Sequence, residues 1–157
     1  MISAAFILEA IESKYPRAVM VPELSINDPY WHDWDHRPSP DKRLDGHKPI
    51  RRIDALMFET YQRTAIEVKI SASDYSLDTQ QKRRPWRRVT HRFIYAVPHS
   101  LDVMAPHGCG LWKIHDDGKI EVVKKAIINR HPEPLPQDVI LRMAYRAAGK
   151  KFPEYNL

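Results

Sequence analysis

Arg51-Arg52-Ile53-Asp54-Ala55-Leu56-Met57-Phe58, followed after a short polar break by Arg63-Thr64-Ala65-Ile66-Glu67-Val68-Lys69, is the stretch that decides how this chain is read. The first run is apolar and broken by one carboxylate, Asp54. The second alternates apolar and charged residues, the pattern of a half-buried strand. Strand side chains repeat every two residues, so Glu67 and Lys69 share a face. If Asp54 on the neighbouring strand points to that face, two carboxylates and an ammonium converge. Two acids can hold a hard divalent cation through oxygen, and a lysine beside them can orient or deprotonate a water. Such chemistry suits phosphodiester hydrolysis. A carboxylate between Ile53 and Leu56 is costly without a partner, so Asp54 either ligates a cation or pairs with Arg52 or Lys69. For Glu67 the plainer alternative is a solvated acid on an edge strand.

Outward from this hairpin, the N-terminal residues 3–14 read as a helix with Ser3 as N-cap, Pro16 beyond its end and a wide apolar face of Ile2, Phe6, Ile7, Leu8 and Ile11. Residues 18–26 read as a first strand. Residues 27–50, rich in Pro, Asp and His, read as an irregular loop or extended hairpin. From 73 to about 91 the pattern is helical, with Pro85 expected to start a new turn or kink the helix. Phe93-Ile94-Tyr95-Ala96-Val97 is a continuous apolar run, as in a buried strand. Residues 111–114 and 119–124 form a hairpin around Asp116-Asp117-Gly118. A proline-containing loop leads to a closing helix over 137–148, with Val139, Ile140, Met143 and Ala147 expected inward. The order α-β-β-β-α-β, plus a hairpin and a helix, predicts an α/β fold with a mixed sheet flanked by helices.

At 157 residues the chain suits one domain, and 43% hydrophobic against 29% charged residues marks it as globular, not disordered. The single cysteine, Cys109, excludes an internal disulfide and any cysteine-cluster zinc site, and fits a reducing, cytoplasmic compartment. Between two glycines and without a His/acid arrangement, it reads as a small packed residue. No apolar run approaches the ~20 residues of a membrane span, and the first residues lack the basic leader of a signal peptide. The net charge of +5 favours a polyanionic partner. Lys82, Arg83, Arg84, Arg87, Arg88 and Arg92 crowd one segment after the hairpin, where they would lead phosphates toward Lys69.

The charged set resembles the D…ExK signature of the PD-(D/E)xK nuclease superfamily, in Asp54 and then Glu67-Val68-Lys69. Ile53 stands where the name has a proline. The resemblance extends to Glu23 before an apolar stretch, Arg52-Ile53-Asp54, Ile70-Ser71, Asp74-Tyr75, the strand ending at Pro98 and the later hairpin, all in family order. It is most like the MmcB-type DNA-repair family, over about residues 20–125. It departs in an insertion at about 27–50 and in a slightly lengthened segment after Asp78.

The resemblance implies a restriction-endonuclease-like fold with an αβββαβ core, in a single nuclease-like domain over 1–157. It also implies Mg²⁺ or Mn²⁺ held by Asp54, Glu67 and the Val68 carbonyl oxygen, with Lys69 positioning the nucleophile. A further acid would come from Glu9 or Glu12 of the first helix or from Glu23, with Glu9 and Glu23 preferred; an exposed helix face is the plain alternative for the helical pair. The implied activity is metal-dependent hydrolysis of DNA, structure-dependent or weakly sequence-specific, in repair, recombination, a phage or a mobile element. A non-catalytic DNA-binding accessory protein with the same fold is the main rival, and an RNA-acting nuclease a third reading. Nicking needs one site and a double-strand break usually two, so a homodimer stays open.

Two further groups carry expectations. Asp74, Asp78 and Lys82 are spaced four apart, as on one helical face, with Trp86 next. Lys82 would contact phosphate and Trp86 would stack or pack; a plain i,i+4 ion pair and a core-edge Trp are the alternatives. Arg83, Arg84, Arg87 and Arg88 would contact nucleic acid. In Tyr30-Trp31-His32-Asp33-Trp34-Asp35-His36, a zinc site would need His32 and His36 on a helix plus a third ligand, and aromatic wedging or stacking on DNA fits better.

Overall fold

The computed structural model describes residues 2–30 and 50–154. In chain order it contains α1 (Ala4–Lys14), β1 (Val19–Asn27), β2 (Ile50–Phe58), β3 (Arg63–Val68), α2 (Ala72–Ser76), α3 (Gln80–Val89), β4 (Arg92–Pro98), β5 (Gly110–Ile114), β6 (Ile120–Lys124) and α4 (Gln137–Ala147). The strands form one six-stranded sheet in sequence order. β3, β4 and β5 run parallel, while β1, β2 and β6 are antiparallel to their neighbours. The fold is α/β, a mixed sheet flanked by helices, as the element order predicts. His32, His36 and most of the 27–50 insertion lie outside the described residues.

Each face of the sheet carries its own core. α1 covers one with Ile7 and Ile11, against Ala55, Met57, Ile66, Val68, Ile94 and Ala96. α3 and α4 cover the other, where Trp86, Val89 and Val139 meet Leu24, Leu56, Ala65, Phe93 and Tyr95. The central strands β3 and β4 are buried on both faces, which is why Phe93 to Val97 shows no alternation.

One irregularity positions everything below. On β2, Ala55 and Met57 face the α1 core and Leu56 the opposite one, so strict alternation would put Ile53 on the α1 side. Ile53 instead belongs to the α3/α4 core. β1 makes the same change: Met20 faces α1 and Val21 the other side, yet Leu24 and Ile26 also join the α3/α4 core. Pairing is kept in register across the change, with Pro22 opposite Ala55 and Leu24 opposite Ile53. The crossing point is Glu23, at φ 50, opposite Asp54. A left-handed non-glycine residue costs about 1–3 kcal/mol. α4 braces it, since Arg146 donates to the carbonyls of both Pro22 and Glu23.

Local signals explain most helix ends. Ser3 Oγ accepts from the Phe6 N–H at 3.1 Å, as the N-cap reading predicts. The helix expected over 73–91 is two helices, and the break is not at Pro85. Thr79 starts α3 anew, its hydroxyl accepting from the Lys82 N–H at 3.2 Å. Pro85 lies within α3 and removes only the donor to the Gln81 carbonyl. α4 also departs from expectation: its buried residues are Val139 and Arg142, whereas Ile140 is 45% exposed. Val139 and Met143 pack on the core as expected, Ala147 like Ile140 is exposed, and Arg142 is buried because polar groups surround it. It donates to Asp138 at 2.7 Å, Asn27 Oδ1 at 2.9 Å and Glu154 at 3.0 Å, tying α4 and the following tail to β1.

Trp86 is fully buried, and its indole N–H donates to the Arg51 carbonyl at 3.1 Å. It therefore packs the sheet and does not stack on a ligand. Trp86→Ala should lower the unfolding free energy by about 3–5 kcal/mol, read as a shift of the urea midpoint.

Candidate active site

β2 and β3 are paired only as far as Ala55 opposite Ile66. Beyond that pair β2 stays with β1 back to Ile50, while β3 continues beside β4, and a wedge opens between them. The Val68 N–H would have no acceptor on β2, and the Asp54 carboxylate takes it at 2.7 Å. A strand residue sends its N–H and C=O to the same edge, so the Val68 carbonyl also leaves β3 on the side of the wedge. The opening is a cleft of about 690 Å³, lined by Arg52 and Asp54 of β2, Glu67, Val68 and Lys69 at the end of β3, Asp74 of α2 and Lys82 of α3.

Register carried one step past Ala55 and Ile66 sets Asp54 opposite Glu67. Glu67 is 3% exposed and Lys69 5%. Lys69 Nζ stands 3.6 Å from Glu67 Oε2, 3.9 Å from Asp74 and 4.0 Å from Asp78. Lys82 Nζ approaches Glu67 Oε2 from α3 at 3.7 Å. These are ion-pair distances just beyond direct hydrogen bonding, leaving the groups coupled but not locked. Burial, then the Asp54 charge, push the Glu67 carboxyl up to about 7, against the pull of Lys82 and Lys69.

Behind Lys69 lies a polar clamp. Asp78, in the link between α2 and α3, takes Arg83 at 2.5 Å and the Tyr95 hydroxyl on one oxygen, and turns its other oxygen toward Lys69. Arg83 also reaches the Tyr95 hydroxyl at 3.3 Å. Burial, with the Asp78 charge beside it, raises the Tyr95 phenol and keeps it protonated, a donor to Asp78.

The structure thus brings Asp54, Glu67, Val68, Lys69 and Lys82 together, and adds Asp74 and Asp78. The last two were grouped with Lys82 by helical spacing. They do converge, but across a helix break and not along one face. Arg83 is part of the clamp. Arg84, Arg87 and Arg88 lie apart from the cleft, on the outer side of α3. Arg92 pairs with Glu59 at 3.1 Å.

Glu9 and Glu12 are exposed on α1, on the side away from Ile7 and Ile11, and the cleft wall that α1 provides is Ala4. Glu23 is exposed and lines a separate recess with Arg142 and Arg146. No cluster of three His, Cys, Asp or Glu suited to a metal ion occurs among the described residues. Tyr95 was missed by sequence reasoning; the one signal was a hydroxyl in a buried strand, which needs a partner. The buried Asp28–Arg51 pair, at 3.1 Å beside the cleft, was missed too. Cys109 is fully buried, and burial raises its thiol, consistent with a packing residue.

The molecule is thus an α/β protein with a charged cleft where two strands of a mixed sheet part. No family model matches the chain, and neither does any curated protein. Among solved structures it is similar to the SPO1766 protein of unknown function from Silicibacter pomeroyi, at 20% identity over 92% of this chain and 84% of that one, with a TM-score of 0.58. That likeness is one of fold. No helix among the described residues is long and apolar enough to cross a membrane.

Because the folded Glu67 carboxyl titrates near 7 and an unfolded one near 4.5, the unfolded chain loses its proton first as pH rises. Stability should fall between those values, by about 3 kcal/mol in total, and level off above 7. Glu67→Gln should remove that part of the slope, read from urea midpoints across the same pH range.

Proposed function

We propose that this protein is a metal-dependent nuclease that hydrolyses phosphodiester bonds in DNA, with the restriction-endonuclease-like fold and single nuclease-like domain that the signature implies. The observation that carries the reading is the meeting of Asp54, Glu67 and Lys69 in one open cleft, on the strand edge where the Val68 carbonyl emerges. The donor chemistry suits Mg²⁺ or Mn²⁺: two carboxylates opposite one another and a carbonyl oxygen, with waters and substrate oxygens completing the shell, as is usual for Mg²⁺. The raised Glu67 carboxyl is further support, since its proton affinity comes from burial and from the neighbouring Asp54 charge. A cation there would relieve that repulsion.

In this reading Asp54, Glu67 and the Val68 carbonyl hold the cation. The bound ion supplies Lewis-acid stabilisation of the charge that builds on the phosphate. Lys69, held between Glu67, Asp74 and Asp78, orients the attacking water. The Asp78–Arg83–Tyr95 clamp fixes the far side of that lysine. Lys82 and the exposed Arg52 face the cleft as the nearest contacts for flanking phosphates. Among the described residues no helix or ribbon is dedicated to base edges, so cleavage would follow DNA structure or weak sequence preference, in repair, recombination, a phage or a mobile element, inside a reducing cytoplasm.

One observation favours a non-catalytic DNA-binding accessory role instead. Glu67 already has two ammonium groups within 3.7 Å, which would satisfy it without a metal. Both readings are separated by incubating labelled linear, nicked, flapped and single-stranded DNA, and RNA, with EDTA, Mg²⁺ or Mn²⁺. Metal-dependent cutting of DNA is expected, abolished in Glu67→Gln and slowed about a hundredfold or more in Lys69→Ala, with DNA affinity kept in both variants. Salt-sensitive binding without cutting on any substrate would leave the accessory role standing.

A further inference from the structure

The outer side of α3 carries a second basic site that shares no residue with the cleft. Positions 84, 87 and 88 fall on the helix face opposite the buried Pro85, Trp86 and Val89, and His91 follows just past the helix end. They border a hollow of about 380 Å³, closed by Tyr30 on one side and by Gly108 and Asn129 on the other. Three arginines of α3 and one histidine line it, and among the described residues no carboxylate does.

What sets this hollow apart from a solvated charge run is how its side chains are held. Arg87 Nη1 donates to the His107 carbonyl at 3.1 Å. Its guanidinium lies where a side chain on Gly108 would be: a Cβ there would come within 2.3 Å of Nη2, and Gly108 sits at φ +82, a conformation that favours glycine. Arg84 stacks on the Tyr30 ring at 3.9 Å, with Arg88 5.6 Å from the same ring. Glu133, outside the hollow, takes the Nε edge of Arg88. The Arg63 N–H donates to His91 Nδ1 at 3.1 Å, so the proton of the neutral ring is on Nε2. Asn129 Oδ1 accepts the His131 N–H at 3.2 Å, which leaves its amide NH₂ as a donor. Arg87, Arg88, His91 and Asn129 are each fixed by a neighbour outside the hollow, and what remains on them is donor capacity.

Among the described residues the lining is a ring of fixed donors without a carboxylate, and such a ring selects a compact anion with several acceptor oxygens. We propose that this hollow binds a phosphate group, separately from the cleft. The phosphate belongs either to the end or backbone of a nucleic-acid strand or to a free nucleotide. Its far wall, at Arg92, pairs with Thr64, five residues before Lys69. At ~3.3 Å per strand residue this places it ~16 Å along the sheet from the proposed nuclease centre. For a nucleic-acid source the inference rests on the nuclease reading above. The hollow then grips the strand about five base steps from the cut, taking ~3.4 Å per step.

The test is an NMR titration of the full chain with inorganic phosphate, following the arginine Nε–H and histidine ring signals, repeated on Asn129→Asp and Glu67→Gln. Asn129→Asp keeps the shape and the bond to His131 but puts a negative charge among the donors. Saturable shifts at Arg87, Arg88 and His91 are expected, with affinity at least tenfold weaker in Asn129→Asp and unchanged in Glu67→Gln. No saturable shift at these residues, or equal affinity in Asn129→Asp and the parent, overturns the proposal. Competition with a nucleoside monophosphate and with 5′-phosphorylated and 5′-hydroxyl oligonucleotides then separates the sources. Tighter binding of either oligonucleotide points to a strand phosphate, and tighter binding of the mononucleotide to a free nucleotide. Because the titration needs no cleavage, phosphate binding at the hollow stands or falls apart from catalysis in the cleft.

Discussion

Everything at the cleft depends on where β2 lets go of β3. Past Ala55 and Ile66 the ladder ends, and β3 is left with a backbone N–H that has lost its strand partner. A buried unpaired donor is costly. The Asp54 carboxylate meets that demand by accepting from Val68, and so is held at the mouth of the wedge. The paired change of face at Glu23 and Asp54 makes the departure feasible without breaking the β1–β2 register. Two strands slip phase together, much as a bulge re-aims a side chain at a sheet's edge. α4 takes part from a distance by donating two hydrogen bonds from Arg146 at the strained turn.

Electrostatics at the cleft follow from the same geometry. Glu67 and Lys69 project from a strand covered on both faces, so their charges sit where water cannot solvate them well. Ion pairs in such places seldom add net stability. Here the acids outnumber what Lys69 can satisfy, and the clearest outcome is a Glu67 carboxyl that holds its proton to about 7. Arg83 and Tyr95 take up part of the excess at Asp78, so that one end of the cluster is fixed while the end facing the cleft stays poised. This excess of acid sets the cleft apart from the outer side of α3, where arginines are held by neutral carbonyls, a ring and one acid.

Much of the fold was legible in the chain because its signals are local. Ser3 caps α1, Asp117-Gly118 turns the last hairpin, and alternation marks β3 as a strand, although β3 is buried on both faces and not half-buried. The errors came where one local signal outweighed another or a distant partner decided. Thr79 as a cap outweighed Pro85 as a breaker, moving the helix break upstream. Arg142 is buried on α4 alongside Val139 and Met143 because Asp138, Asn27 and Glu154 gather around it, and two of these are remote in sequence. Trp86 read as a stacking or a packing residue and Arg83 as a nucleic-acid contact; burial against the Arg51 carbonyl and pairing with Asp78 give both a structural place.

By itself the sequence determined the strands, the α/β class and the residues able to do chemistry, since hydrophobic period, caps and charged positions are properties of neighbouring residues. It also placed Glu67 and Lys69 on one face, because that follows from the strand repeat alone. Only the tertiary structure decided which other groups meet them. Asp54 meets Val68 because β2 parts from β3 just past Ala55, Asp74 and Asp78 join through a helix break, and Glu9 turns away because α1 buries Ile7 and Ile11 instead. Pairing between strands and packing of a helix on a sheet are set by contacts far apart in the chain, and those contacts fix where each charge lies.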